Sequence, residues 1–265
     1  MWPESVGHWS LDSGAFTEIS TYGFWKTSAA QYVEQIRRAQ SEIGHLDWVA
    51  PQDWMCEPFI LAKTGLDIPE HQRRTVENFL ELRGAVGDLV IPVLQGWGPW
   101  DYVRHVEMYR AYGVDLRIEK TVGVGSICRR QHTTQASQIF ALLHSEGISI
   151  HAFGLKLLGL KVNHDKIKSS DSMAWSFDAR RSRRQLPGHP HINCANCLEF
   201  AELWRDKVKP YVMECNMMQQ FVTTCNGVKP LTGLRRLRAE SWRKEAEPSR
   251  NGTEEVQVRQ SRPGG

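Results

Sequence analysis

The sequence predicts an α/β protein: a (β/α)8 barrel of the TIM type, irregular or incomplete, carrying a small helical insert. Three observations point there. Short apolar runs alternate with helical stretches at roughly thirty-residue spacing, the rhythm of parallel βα units. Polar residues and glycines gather just after almost every apolar run, at Asp12, Asp53, Gln95, Gly123 and Gly154, where such a barrel builds its site. The chain has 265 residues, and one barrel of this kind takes about 250. A doubly wound open sheet competes, but no GxGxxG turn supports it. About six strands are clear by pattern, so the full eight are inferred rather than counted.

In chain order, HWSLDSGAF reads as a short strand running into a turn, Asp-Ser-Gly being good turn chemistry in its own right. SAAQYVEQIRRAQSEIG sets Tyr32, Ile36 and Ile43 on one helical side. LDWVAP is a short buried strand stopped by Pro51. EHQRRTVENFLELRGAVG is the next helix, and DLVIPVLQG the next strand, closed by Gly96. PWDYVRHVEMYRAYG opens on Pro99 and ends at Gly113, the usual helix punctuation. VDLRIEKTVGVGS is strand and loop, QHTTQASQIFALLHSEG a helix, and ISIHAFGL a strand. In DSMAWSF, Met173, Trp175 and Phe177 alternate as on a strand headed by Asp171. From Cys194 to Cys225 the pattern is mostly helical. Composition then shifts to Arg, Glu, Ser, Gly and Pro. Residues 1–227 are expected to form the barrel with its insert, and 228–265 a basic polar tail, largely disordered, with a helical pattern in LTGLRRLRAESWRKEAE.

Hydrophobic residues at 41% and charged residues at 24% call for an ordinary packed core. The net charge of +3 is small but unevenly placed. Residues 228–265 hold nine Lys/Arg against five Glu, leaving 24 basic and 25 acidic residues before them. Local positive clusters stand at Arg129–Arg130 and at Arg180, Arg181, Arg183 and Arg184. Six cysteines in a chain this long are not a disulfide framework. MWPESVGHWS has neither region of a signal peptide, and no apolar run reaches eighteen residues. A cytoplasmic location is expected.

Residues 171–197, DSMAWSFDARRSRRQLPGHPHINCANC, join a carboxylate, an arginine strip and a histidine–cysteine group. That combination points to an enzyme acting on nucleic acid. Cys194 and Cys197 form a CxxC, whose thiolates can share one tetrahedral zinc, with His191 close by. Taken alone, Asp171 reads equally as a helix cap or a partner of Arg180. His105, His144 and His151 have no partners at ligand spacing and read as structural.

Four segments resemble the queuine/archaeosine tRNA-guanine transglycosylases, in family order. LDSGAF (11–16) resembles DSGGFQ, and VLQGW (93–97) resembles VQGG. VGVGS (122–126) is similar to GGLAVG, and SSDSMAWSFDAR (169–180) to FDSASYALYAR. The short length and CANCLEFAELWR are closer to the branch that inserts 7-deazaguanine derivatives into DNA. The chain departs from the pattern at Ala15 and Thr17, and TVGVGSIC lacks a final acidic residue.

The resemblance implies that Asp171 is a nucleophile capturing C1′ and Asp12 a general acid/base. Phe16 would stack on the base. Asp53, with Asp47 as rival, would accept from its amino edge. Gln95 and the backbone at Gly123 and Val124 would read its carbonyl side. Arg180 and Arg129–Arg130 would contact substrate phosphates. A structural zinc is implied within about 189–225. The family's CxCxxC meets Ile192 at its first cysteine, and no histidine follows Cys197. The expected ligands are therefore His191 (or His189), Cys194, Cys197 and Cys215, with Cys225 in reserve.

The implied reaction exchanges guanine in DNA for a free 7-deazaguanine such as 7-cyano-7-deazaguanine, through a covalent aspartyl-glycosyl intermediate. The base must leave its stack to react. The same exchange on tRNA, a non-catalytic nucleic-acid-binding barrel and an unrelated zinc hydrolase are the alternatives. By the same resemblance a homodimer, or partner proteins of a DNA-modification system, is expected.

Overall fold

A computed structural model of the chain describes residues 4–224, with side chains through Tyr211. The chain divides at Gln220, and the unit beyond it, Phe221–Gly265, lies almost wholly outside the described residues. So do the expected tail 228–265 and the side chains of Cys215 and Cys225.

The described strands are short and parallel: β1 (Trp9–Leu11), β2 (Leu46–Val49), β3 (Val93–Leu94), β4 (Val122–Val124), β5 (Ile150–Ala152) and β6 (Ser169–Ser170). β1 pairs with β2, and β3 to β6 pair in chain order. A parallel bridge, Val49 to Val90, joins the two sets, with the Ile91 N–H donating to the Val49 carbonyl at 3.0 Å. The strands thus follow one another in sequence order, with helices returning the chain between them. Among the described residues there are six strands and no pairing of β6 with β1, so a closed eight-stranded barrel is not shown.

The helices form where the punctuation places them. α1 (Ala15–Tyr22) follows the Asp-Ser-Gly turn. α2 (Ala29–Glu42) starts at a capping box between Ser28 and Gln31. α3 (Pro58–Thr64) and α4 (Ile68–Val86) both carry a proline in the first turn. α5 (Pro99–Ala111), α6 (Thr134–Ser145) and α7 (Leu157–Asn163) follow β3, β4 and β5. Tyr32, Ile36, Phe79, Tyr109, Ile139 and Phe140 from these helices pack with Val49, Leu94, Val122, Val124 and Ile150 in one core. β3, β4 and β5 are buried at every position, the mark of parallel strands covered on both faces.

One expectation is overturned. DSMAWSF is not a strand: after two residues of β6 the chain turns at Asp171 and enters α8 (Ala174–Arg181). The buried side chains are Ser176 and Ala179, three apart on one helical face, while Met173 and Phe177 are exposed. The alternating large residues do not mark the inward side. α9 (Leu198–Thr224) is helical as expected.

Candidate active site

A cavity of about 190 Å3 opens at the C-terminal ends of the strands. Each strand delivers a lining residue just past its end: Asp12 after β1, Asp53 after β2, Gln95 after β3, Gly125 and Ser126 after β4, Gly154 after β5 and Asp171 after β6. This is the strand end at which α/β barrels do chemistry.

Asp171 is held on one oxygen. The Gly154 N–H donates to its Oδ1 at 2.9 Å, and the His151 Nε2 stands 3.4 Å from the same atom. Gly154 has φ +66, a left-handed conformation that suits glycine. His151 is fixed by its Nδ1, 2.9 Å from the Ser169 hydroxyl, and by edge contacts with Trp48 and Phe153. Burial raises the Asp171 carboxyl, but His151 and the Gly154 N–H outweigh it and leave the group below its usual range. Asp12 goes the other way. Burial pushes it up and the charge of Asp171 adds to this, against the Ser13 N–H and His151. Two carboxylates in one cavity thus have their protonation driven apart, an arrangement in which one can give a proton while the other attacks or accepts one. By spacing alone His151 has no partner and reads as structural. Its partner lies twenty residues on, across a β5–β6 pairing that the sequence does not display.

Deeper in, a hydrogen-bonded chain crosses the floor. The Ser13 hydroxyl donates to Asp53 Oδ1 at 2.9 Å, and Gln95 Nε2 donates to Asp53 Oδ2. The Ser126 hydroxyl lies 2.6 Å from Gln95 Oε1 and 2.9 Å from Glu57 Oε2. A Cβ at Gly125 would run into the Gln95 amide, so this approach requires glycine. The buried His105 Nδ1 accepts the Gln95 N–H at 2.9 Å, and burial lowers its pKa to about 3.

Burial raises Asp53 to about 7, Asp12 adding to the effect while Ser13 and Gln95 oppose it. The folded chain therefore holds this proton longer than the unfolded chain, whose value is 3.8. The contribution of this carboxyl to stability should fall as pH rises from about 4 to about 7, by about 4 kcal/mol, and level off above. Melting temperatures across that range check the slope, and Asp53→Asn should reduce it.

Phe16 lines the cavity and meets Phe59 edge-on, with the Arg129 guanidinium 5.4 Å from one ring and 4.7 Å from the other. Gly123 and Val124 do not line it. They lie within β4, where Phe153 and Val93 close over Gly123, and Gly125 and Ser126 occupy the lining positions instead. Arg180 is exposed on α8 and is not among the lining residues, and Arg184 pairs with Asp178 at 2.8 Å. Arg130 is buried over Trp97, its Nε donating to the Ser126 carbonyl at 3.1 Å, so it braces the β4 loop and offers no open phosphate contact. Asp47 is exposed and paired with His8, which removes it as a rival to Asp53 at the cavity. Glu57 was missed: the Glu-Pro step reads as a helix start, yet its side chain makes no cap bond and lines the cavity.

The family model described as DpdA, DeoxyPurine in DNA protein A, matches residues 1–231. The chain belongs to the DpdA family. Membership ties it to deazapurine modification of DNA. A search of curated proteins finds no match.

This DpdA-family chain also gathers His189, His191, Cys194 and Cys197, whose ligand atoms all lie within 4.8 Å of one another. His191 Nε2 is 3.0 Å from Cys194 Sγ, and His189 Nδ1 is 3.5 Å from Cys197 Sγ. Tetrahedral zinc with N and S ligands at about 2.0–2.3 Å needs donors of this kind and separation, so the set fits. His189 Nε2 also meets Glu199 at 3.0 Å, the outer carboxylate that steadies a metal-binding imidazole. Among the described residues these four are the donors brought together; the side chain of Cys215, also expected as a ligand, lies outside them. Among the described residues no helix is long and apolar enough to cross a membrane.

Proposed function

We propose that the protein exchanges guanine in DNA for a free 7-deazaguanine derivative through a covalent aspartyl-glycosyl intermediate. The observation that carries this is the meeting of Asp12 and Asp171 in one cavity with protonation driven in opposite directions. The Asp171 carboxylate attacks C1′ of a flipped-out nucleotide. The C1′–N9 bond breaks, its electron pair leaves with guanine, and Asp12 supplies the proton. The incoming base then attacks C1′ through N9 and returns a proton to Asp12, and the aspartyl ester bond breaks. Phe16 stacks on the base, ionised Asp53 accepts from its amino edge, and Gln95 faces its carbonyl. The base should bind more tightly as pH rises through about 7 and Asp53 ionises. Arg129 and the two exposed phenylalanines at the mouth suit a displaced strand. Zinc at the histidine–cysteine set would be structural, tying the end of α8 to the start of α9.

The deciding experiment follows labelled guanine into DNA and into tRNA, with protein and Asp171→Ala side by side. Label in DNA only, with a covalent protein–DNA adduct lost in the variant, is expected. Label in tRNA only would move the substrate assignment. His151 is a positioning group here. His151→Gln should lower turnover about 10²-fold by letting Asp171 swing, with guanine binding unchanged because His151 does not line the cavity. A drop in guanine affinity that matches the drop in turnover would count against that role.

A further inference from the structure

The chain from Asp53 to Glu57 contains a proton that its geometry requires. Gln95 gives Nε2 to Asp53 and turns Oε1 toward Ser126. A carbonyl only accepts, so the single hydrogen of the Ser126 hydroxyl belongs on Gln95 Oε1, 2.6 Å away. The Cys56 N–H already donates to the same hydroxyl oxygen at 2.8 Å. Glu57 Oε2, 2.9 Å from that oxygen, is then left facing a lone pair. As a carboxylate it would have no hydrogen in this contact, inside a site where Glu57 is 4% exposed. As a carboxylic acid it donates to Ser126, and every member is satisfied.

We propose that Glu57 keeps its proton at neutral pH and, through Ser126, fixes the Gln95 amide so that the cavity selects an oxo-purine over an amino-purine. With Nε2 turned to Asp53, Gln95 has a second N–H to offer a base carbonyl, beside a carboxylate that accepts from the base's amino edge. Turned over, Gln95 would present Oε1, the complement of an amino group, and the proton would have to sit on Asp53. The Ser13 hydroxyl on Asp53 Oδ1 favours the first arrangement. Burial raises the Glu57 carboxyl in the same sense, with Ser126 and the Arg129 and Arg130 cations acting against it. Glu57 is a positioning residue, two side chains removed from Asp53, and its role in selection rests on the proposed function.

Two readouts test this on the full chain. Free guanine and adenine compete for binding to wild type, Glu57→Ala and Glu57→Gln. Infrared spectra near neutral pH follow the C=O stretch of a protonated carboxylic acid. Glu57→Ala should lose at least about tenfold of the guanine preference, and Glu57→Gln, which still donates to Ser126, should restore it. Glu57→Gln should remove one acid band from the wild-type spectrum, a band that Asp53→Asn leaves in place. A Glu57→Gln protein as unselective as Glu57→Ala, an unchanged preference in Glu57→Ala, or a Glu57→Gln spectrum that keeps every acid band of wild type overturns the proposal. If wild type binds neither base, the proposed function fails with the selection role that rests on it, and the band still decides where the proton is.

Discussion

Asp171→Ala is expected to lower incorporation of labelled guanine into DNA by roughly 10⁴-fold or more, as removal of a nucleophile does. The fold should not notice. The Asp171 side chain is 55% exposed and sits at the mouth, so its loss leaves no cavity in the core. Melting should stay within about 0.5 kcal/mol of wild type, as for surface substitutions. The Gly154 N–H loses its acceptor but has water to replace it. The contrast with Asp12 sharpens the assignment. Asp12→Asn removes the proton donor and leaves the attacking carboxylate in place, so residual adduct should be detectable with a substrate whose leaving group needs no proton. Asp171→Ala should form none with any substrate. An adduct in Asp171→Ala would place the nucleophile elsewhere, with Asp12 the next carboxylate to test.

The sequence displayed the strand ends well and the contacts between them poorly. Asp12, Asp53 and Gln95 each follow a short apolar run, and periodicity marks such places without any knowledge of pairing; Asp171, after the polar KIKSS, is marked by the family resemblance instead. What periodicity cannot supply is which strand lies beside which. His151 meets Asp171 only because β5 pairs with β6, and Glu57 meets Ser126 across 69 positions of sequence. The glycine loop was misread by two residues for a similar reason. Gly123 and Gly125 look alike in TVGVGS, and only the end of β4 at Val124 leaves the first within the packed sheet and the second past the strand end, at the cavity. DSMAWSF was misassigned because three alternating apolar residues fit a strand, while the inward side of α8 is made of Ser176 and Ala179, which carry almost no hydropathic signal.

Purified protein is expected to carry one zinc per chain, and Cys194→Ser to release it. Cys194 is fully buried, its N–H donates to the Arg184 carbonyl at 2.8 Å, and its Sγ accepts the Leu186 N–H at 3.2 Å. Around it lies only a small satellite core: Ala179, Cys194 and Ala195, with Leu186, Cys197 and Phe200 at the edge. So few apolar groups cannot alone offset the backbone entropy of ordering the segment from Ser182 to Cys197, at about 1–2 kcal/mol per residue. A metal bound by four donors can, since structural zinc contributes on the order of 10 kcal/mol in small domains. Hydrogen exchange at Leu186 and Cys194 should therefore rise sharply in Cys194→Ser. The core between α2, α4, α5 and α6 should keep its protection, because none of its residues belongs to the satellite. Turnover should fall less than in Asp171→Ala, since α8 begins three residues after Asp171 and loosens from its far end. His189→Ala should release zinc as His191→Ala does, whereas Cys215→Ser should retain it. Zinc held by His189→Ala and lost from Cys215→Ser would reverse the fourth ligand, and metal-free protein with full protection at Cys194 would show that packing alone orders the segment.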